Sequence, residues 1–170
     1  MRILITGLFV LINFILQSTL LQTIQIRGVL PNTAVVLIVS YALLRGSTEG
    51  LIVGFFVGIL QDIFFGYGIG YFALLSMTTG YLAGRGHHNF YRENYIMPVM
   101  LCAIFVVFYE TINYITGFLF RGQLNYPYFF GRTILPETVY TAILTILIYR
   151  ILFAINERLE LKEKYKHRLF

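Results

Sequence analysis

Charge is scarce in this chain of 170 residues, where Asp, Glu, Lys and Arg together make up 12%. Ordinary globular chains carry about 25%, so too little polar surface is present to wrap a water-soluble core. Cysteine is nearly absent as well. Cys102 stands alone, which excludes an internally bridged extracellular scaffold. No low-complexity segment and no internal repeat interrupts the pattern. The signatures of chemistry are missing too. There is no nucleophile–base arrangement, no Gly-rich phosphate loop followed by Lys, and no multi-Asp pattern of a membrane phosphotransferase. His87-His88 has no Cys or carboxylate at ligand spacing, so it reads as a solvated loop rather than a metal site. No enzyme, cofactor or metal is expected.

What the chain has is apolar length. Hydrophobic residues make up 58% of it and the mean hydropathy is +0.74, which excludes disorder. A hydrocarbon core of about 30 Å takes about 20 helical residues, so six spans would use about 120 and leave no room for a soluble catalytic domain. The apolar runs are continuous, without the period of two that barrel strands need. The expected fold is therefore all-α, a polytopic membrane helix bundle over residues 1–154 with a basic tail over 155–170.

Six spans are read along the chain: Ile3 to Leu21, Pro31 to Leu44, Gly50 to Phe65, Tyr71 to Gly84, Ile96 to Phe120 and Arg132 to Phe153. The first follows a single basic residue, Arg2, and is too long for a secretory signal core, so it reads as a retained anchor. The second is short, and Pro31 suits a first helical turn. With six spans and the N-terminus inside, ten of thirteen basic residues lie inside. Five spans with the N-terminus outside exchange Arg2 for Arg27 and give the same count, so the positive-inside rule places the C-terminus in the cytoplasm and leaves the N-terminus open.

Gly50, Gly54 and Gly58 recur every fourth residue, as do Ser76, Gly80 and Gly84. Such rows let helices approach closely, either within the chain or toward a second protein. Asp62 continues the first row with Gln61 beside it, next to a Gly-rich corner, Gly66 to Gly70. A carboxylate there needs pairing or water; freed backbone N–H groups of the corner would supply it, or a partner would. Deeper in the chain lie Glu110, Asn113 and Gly117 on one helix. A stripe of Thr133, Glu137, Thr141, Thr145 and Tyr149 lies on another, with Pro136 at its head. Groups this deep face the bundle interior or a cavity, and both structural glue and a polar cavity fit; Arg121 or Arg132 would pair with the carboxylates. The tail sets Arg158, Lys162, Lys164, Lys166 and Arg168 against three Glu. It suits anionic lipid or a cytoplasmic partner; the net charge of +5 does not argue for nucleic acid.

The stretch from Leu30-Pro31-Asn32 through Gly54, Gly58, Leu60-Gln61-Asp62, Gly66, Gly70 and Tyr81-Leu82-Ala83-Gly84 resembles the rod shape-determining protein MreD family. The resemblance implies a non-enzymatic subunit of the bacterial elongation machinery in the inner membrane. Such a subunit binds MreC and acts with MreB, RodA and its paired transpeptidase in lateral peptidoglycan synthesis. It gives no role to Glu110 or Glu137, and the oligomeric state stays open. It also implies likeness in fold to the vitamin-binding components of energy-coupling-factor transporters. A vitamin site using Asn125, Tyr126, Arg132 and Glu137 is the alternative function, although the aromatic run Tyr126 to Phe130 also suits an interfacial belt.

Overall fold

A computed structural model describes residues 2–23, 25, 28–65, 70–89, 96–118 and 125–167. These residues form six helices and, among them, no strand. Helix α1 begins as Arg2–Ile15, passes through a π-helical turn over Leu16–Leu20 and ends at Leu21–Thr23. The turn has a local cause: Ser18 Oγ donates to the Ile15 carbonyl at 3.2 Å and Thr19 Oγ1 donates to the same oxygen. Hydroxyls bonding back to the preceding turn distort a helix in this way.

Helix α2 covers Thr33–Arg45, α3 Ser47–Phe65 and α4 Tyr71–Gly84, which a short 3₁₀ segment extends over Arg85–Asn89. Helix α5 covers Ile96–Phe118. Helix α6 starts at Tyr126–Phe129, passes a second π-helical turn over Phe130–Ile134 and runs on through Leu135–His167. Four of the six contain stretches long and apolar enough to cross a membrane: Ile5–Thr23, Ser47–Phe65, Ile96–Gly117 and Tyr126–Leu159.

The short second helix is the centre of the molecule. Every residue from Thr33 to Leu44 is buried, and α2 packs against all five other helices. A helix that is apolar all round has no solvent face and belongs inside a bundle. Its 13 residues span only about 20 Å at about 1.5 Å each, so both of its ends stop below the surface and must be satisfied by protein. Asn32 is its N-cap, with the side-chain oxygen accepting from Val35 N at 3.2 Å; Pro31 therefore precedes the cap and does not occupy the first turn. At the other end the His87 ring nitrogen donates to the Leu43 carbonyl at 2.6 Å, closing one of the four carbonyls a helix leaves open. His87 is thus part of the packing and not a solvated loop residue. Arg45 Nε donates to Asn156 Oδ1 at 2.7 Å, and Arg45 Nη1 pairs with Glu49 at 3.0 Å. Gly46, with φ of 96°, turns the chain into α3 in one residue, a conformation glycine adopts without steric cost.

One boundary differs from the sequence reading. The aromatic segment before Arg132 is the first turn of α6 and not a loop, because Asn125 opens the helix and Pro127 sits in its first turn, where a missing N–H costs nothing. At the other end α6 continues beyond the expected span end at Phe153, as the i,i+4 spacing of Glu160 and Lys164 allows. It carries the start of the basic tail as an unbroken helix to His167.

Candidate functional site

The glycine row on α3 is filled from within the chain. A Cβ on Gly50 would sit 2.5 Å from Ala42 Cβ and 2.6 Å from the Gly80 carbonyl; on Gly54 it would meet the Ser76 carbonyl carbon at 2.7 Å, and on Gly58 the Ala73 nitrogen at 2.7 Å. Real Cβ atoms do not come so close. The α3 and α4 backbones are therefore in direct contact along Gly50, Gly54 and Gly58, facing Gly80, Ser76 and Ala73. A partner helix cannot use this face, because α4 already covers it. Of the two uses open to the row, packing within the chain is the one the structure shows.

Asp62 closes the same hairpin. Its Oδ2 accepts from Gly70 N at 2.9 Å and Ala73 N at 3.0 Å, and its Oδ1 accepts from Phe72 N at 2.8 Å. Three N–H groups at the start of α4 are satisfied by one carboxylate, which is 3% exposed; the positive end of the helix dipole favours the charge there. Gly70 caps the helix in the left-handed region, with φ of 112°. Gly66 lies outside the described residues. Gln61 joins α3 to α5: its Oε1 accepts from the Tyr109 hydroxyl at 2.8 Å.

A second polar cluster gathers where α2 begins. Asn32 N donates to Thr141 Oγ1 on α6 at 3.0 Å, and Asn32 Nδ2 donates to Glu110 Oε1 on α5 at 3.3 Å. Asn113 Nδ2 reaches the same Glu110 oxygen at 3.5 Å, and its Oδ1 accepts from the Tyr71 hydroxyl at 3.1 Å. Glu137 is buried, faces Asn32 and lies within range of the charge on Glu110. The four-residue stripe on α6 turns inward: Glu137, Thr141, Thr145 and Tyr149 are all buried.

These groups border a pocket of about 320 Å³ lined by Gln17, Asn32, Gln61, Tyr109, Glu110, Asn113, Thr133 and Glu137, with Phe14, Phe65 and Phe72 among its apolar walls. The structure thus brings together Gln61, Glu110, Asn113 and Glu137. It leaves the glycines and Asp62 in the hairpin seam, and Thr141 behind Asn32. Arg132 does not join them. Its guanidinium donates to the Tyr128 hydroxyl and stacks 5.5 Å from that ring, one turn back along α6. Arg132 is exposed while Glu137 is buried, and the expected pairing is not made. Arg121 lies outside the described residues. Of the four residues expected to hold a vitamin, only Glu137 lines the pocket. Asn125 is exposed at the start of α6, and the Tyr126 ring packs 5.3 Å from Tyr114. Among the described residues no group of three or more His, Cys, Asp or Glu is placed to hold a metal.

Sequence reasoning passed over Asn32, treating it only as a helix start. An Asn ahead of an apolar run signals an N-cap, but its bonds to Glu110 and Thr141 cross 78 and 109 residues, and nothing local announces them. Gln17 was likewise read only as part of the first span.

No curated protein and no solved structure matches the chain. A protein-family model described as rod shape-determining protein MreD matches residues 1–158, which include the first five helices and α6 as far as residue 158. With that match over nearly its whole length, and four helices of membrane-spanning length and apolarity, this chain is a multi-pass membrane protein that belongs to the MreD family of the rod-shape determination system.

Proposed function

We propose that the protein is a non-enzymatic subunit of the bacterial cell-elongation complex, held in the inner membrane with its C-terminus in the cytoplasm. It binds MreC directly and helps to organise lateral peptidoglycan synthesis with MreB, RodA and its paired transpeptidase. The observation that carries this reading is the family match, which spans the entire bundle and not a single motif. The internal use of the polar groups supports it. Asp62, Gln61, Asn32 and Asn113 tie helices to one another, as expected of a rigid scaffold. The same match favours a shape-determining subunit over the vitamin-binding alternative.

Because α4 occupies the glycine face, MreC would meet an outward surface. One such surface is the row Ile96, Met100, Ile104 and Phe108 on α5, every one of them exposed. The basic end of α6 would hold the cytoplasmic side near anionic lipid. The test is twofold. Affinity-tagged protein, solubilised in mild detergent, is expected to bring down MreC, and deletion of its gene is expected to turn rods into spheres. Deleted cells that keep their rod shape, together with a pull-down lacking MreC, refute the reading.

A further inference from the structure

Glu110 and Glu137 are carboxylates that the fold buries with no ion pair to a cation among the described residues. Glu137 is 8% exposed, and Glu110 is partly buried beside it. Their four oxygens have few donors: Asn32 Nδ2 and Asn113 Nδ2 both address the same Glu110 oxygen, at 3.3 Å and 3.5 Å. No described side chain donates to Glu137 within full hydrogen-bonding geometry; it only faces the Asn32 amide, whose protons are shared with Glu110. The described arginines that flank the cluster are engaged elsewhere. Arg132 bonds Tyr128, and Arg45 sits with Glu49 and Asn156 at the far end of α2. Carboxylates held in a membrane bundle with so few donors are costly unless something supplies positive charge and N–H groups.

The space to supply it is present. The cavity of about 320 Å³ opens directly onto both carboxylates, within the size range of small-molecule sites, about 300–1,000 Å³. Its polar side offers the two carboxylates; the Gln17 oxygen already accepts from Thr33 and the Gln61 oxygen from Tyr109. Its apolar side offers Phe14 and Phe72 rings, whose faces attract cations. An ammonium group brings three N–H donors and a full positive charge and accepts nothing, which suits the two carboxylates that line the pocket.

We propose that this pocket binds a primary ammonium group carried on a small apolar or ring-bearing body, either a free amine or the ethanolamine headgroup of a lipid. The ammonium lies between Glu110 and Glu137, and the body rests against the Phe14 and Phe72 side. This inference stands apart from the MreC assignment, since it needs no partner protein.

The test uses the purified full chain in detergent and benzylamine as the probe. The readout is the temperature at which the monodisperse chromatographic peak is lost. Benzylamine at ten times its dissociation constant is expected to raise that temperature by about 3–6 °C. Benzyl alcohol and the quaternary benzyltrimethylammonium, at matched ionic strength, are expected to leave it unchanged. Glu137→Gln is expected to abolish the shift and Glu110→Gln to weaken binding at least tenfold; the comparison of probes on the wild-type protein decides the matter even where a variant fails to fold.

A second arm separates the sources. Native mass spectrometry after release from nanodiscs of phosphatidylethanolamine with phosphatidylglycerol shows retained ethanolamine lipid if the headgroup is the ligand. A benzylamine shift without retained lipid assigns the site to a free amine. The proposal is overturned if benzylamine acts no differently from benzyl alcohol, or if Glu137→Gln responds as the wild type does. It is equally overturned if the shift appears only in Arg27→Gln or Arg121→Gln, which would give the site to the chain's own guanidinium.

Discussion

Replacing Gly54 by alanine is the sharpest probe of the α3–α4 seam. In an isolated helix that change is favourable by about 0.8–1.0 kcal/mol, because alanine loses less backbone freedom. In this bundle the new methyl group would lie 2.7 Å from the Ser76 carbonyl carbon and 3.0 Å from the Met77 nitrogen. Both are backbone atoms that no rotamer change can move. The two helices must separate, and the neighbouring contacts at Gly50 and Gly58 open with them. Forcing extra volume into a packed interface costs about 1–3 kcal/mol, which exceeds the gain in propensity. For a chain of this length about 2 kcal/mol corresponds to a fall in melting temperature of about 4–8 °C.

The protein carries its own reporter. Cys102 is the single cysteine in the sequence and is fully buried, so a thiol-reactive fluorogenic maleimide reads unfolding with no added label. Gly117→Ala is the matched control, since nothing lies within 4 Å of a Cβ at that position, and it is expected to melt at or above the wild-type temperature. Gly54→Leu is expected to abolish assembly altogether. If Gly54→Ala and Gly117→Ala melt together, the helices are not in backbone contact and the seam is misdescribed.

The remaining predictions use the same melting assay. Asp62→Asn keeps one acceptor oxygen for three N–H donors and is expected to cost about 1–3 kcal/mol, with Asp62→Ala costing more; melting of both variants at the wild-type temperature would show that the carboxylate does not cap α4. Asn32→Ala removes the cap of α2 and its bond to Glu110, with an expected loss of about 2 kcal/mol or more given cap losses of about 0.5–2 kcal/mol, whereas Thr33→Ser in the next position is expected to be mild. Arg45→Gln leaves Asn156 and Glu49 without their cation, and its effect is expected to be largely insensitive to salt, since Arg45 itself is buried against Tyr41. A salt-dependent loss would instead mark a surface ion pair, which is worth about 0–1 kcal/mol.

How much of this was legible beforehand depends on how far apart the interacting residues lie in the chain. The Gly50–Gly54–Gly58 spacing and the position of Asp62 one turn on are local, and a local pattern was enough to read a close helix contact and a corner with free N–H groups. What the spacing did not tell was which helix the row meets, because α4 and a foreign helix offer the same smooth surface. The inward stripe from Glu137 to Tyr149 was legible for the same reason of periodicity. The convergence of Glu110 and Glu137 on Asn32 was not, since it depends on the rotation of α5 and α6 about their own axes. Nor was the central place of α2. Its 13 residues looked like a deficient span, because length was judged against lipid when the surroundings of that helix are protein.

That central place has a consequence that an insertion can check. Helix α2 is fastened at its start by Asn32 to Glu110 and Thr141, and at its end by Arg45 to Glu49 and Asn156, with no exposed residue between. One alanine inserted between Val39 and Ser40 turns the following half by about 100° and advances it by about 1.5 Å. Either fastening can then be kept, but not both, and a helix buried on every side has no lipid-facing sector into which the displaced residues can rotate. The insertion is expected to abolish a cooperative melt and, in cells, the ability to restore rod shape. An alanine inserted after Glu157, beyond Asn156 on the exposed part of α6, moves none of these groups and is expected to melt as the wild type does. If the two insertions behave alike, α2 is not the fixed centre around which the other helices are arranged.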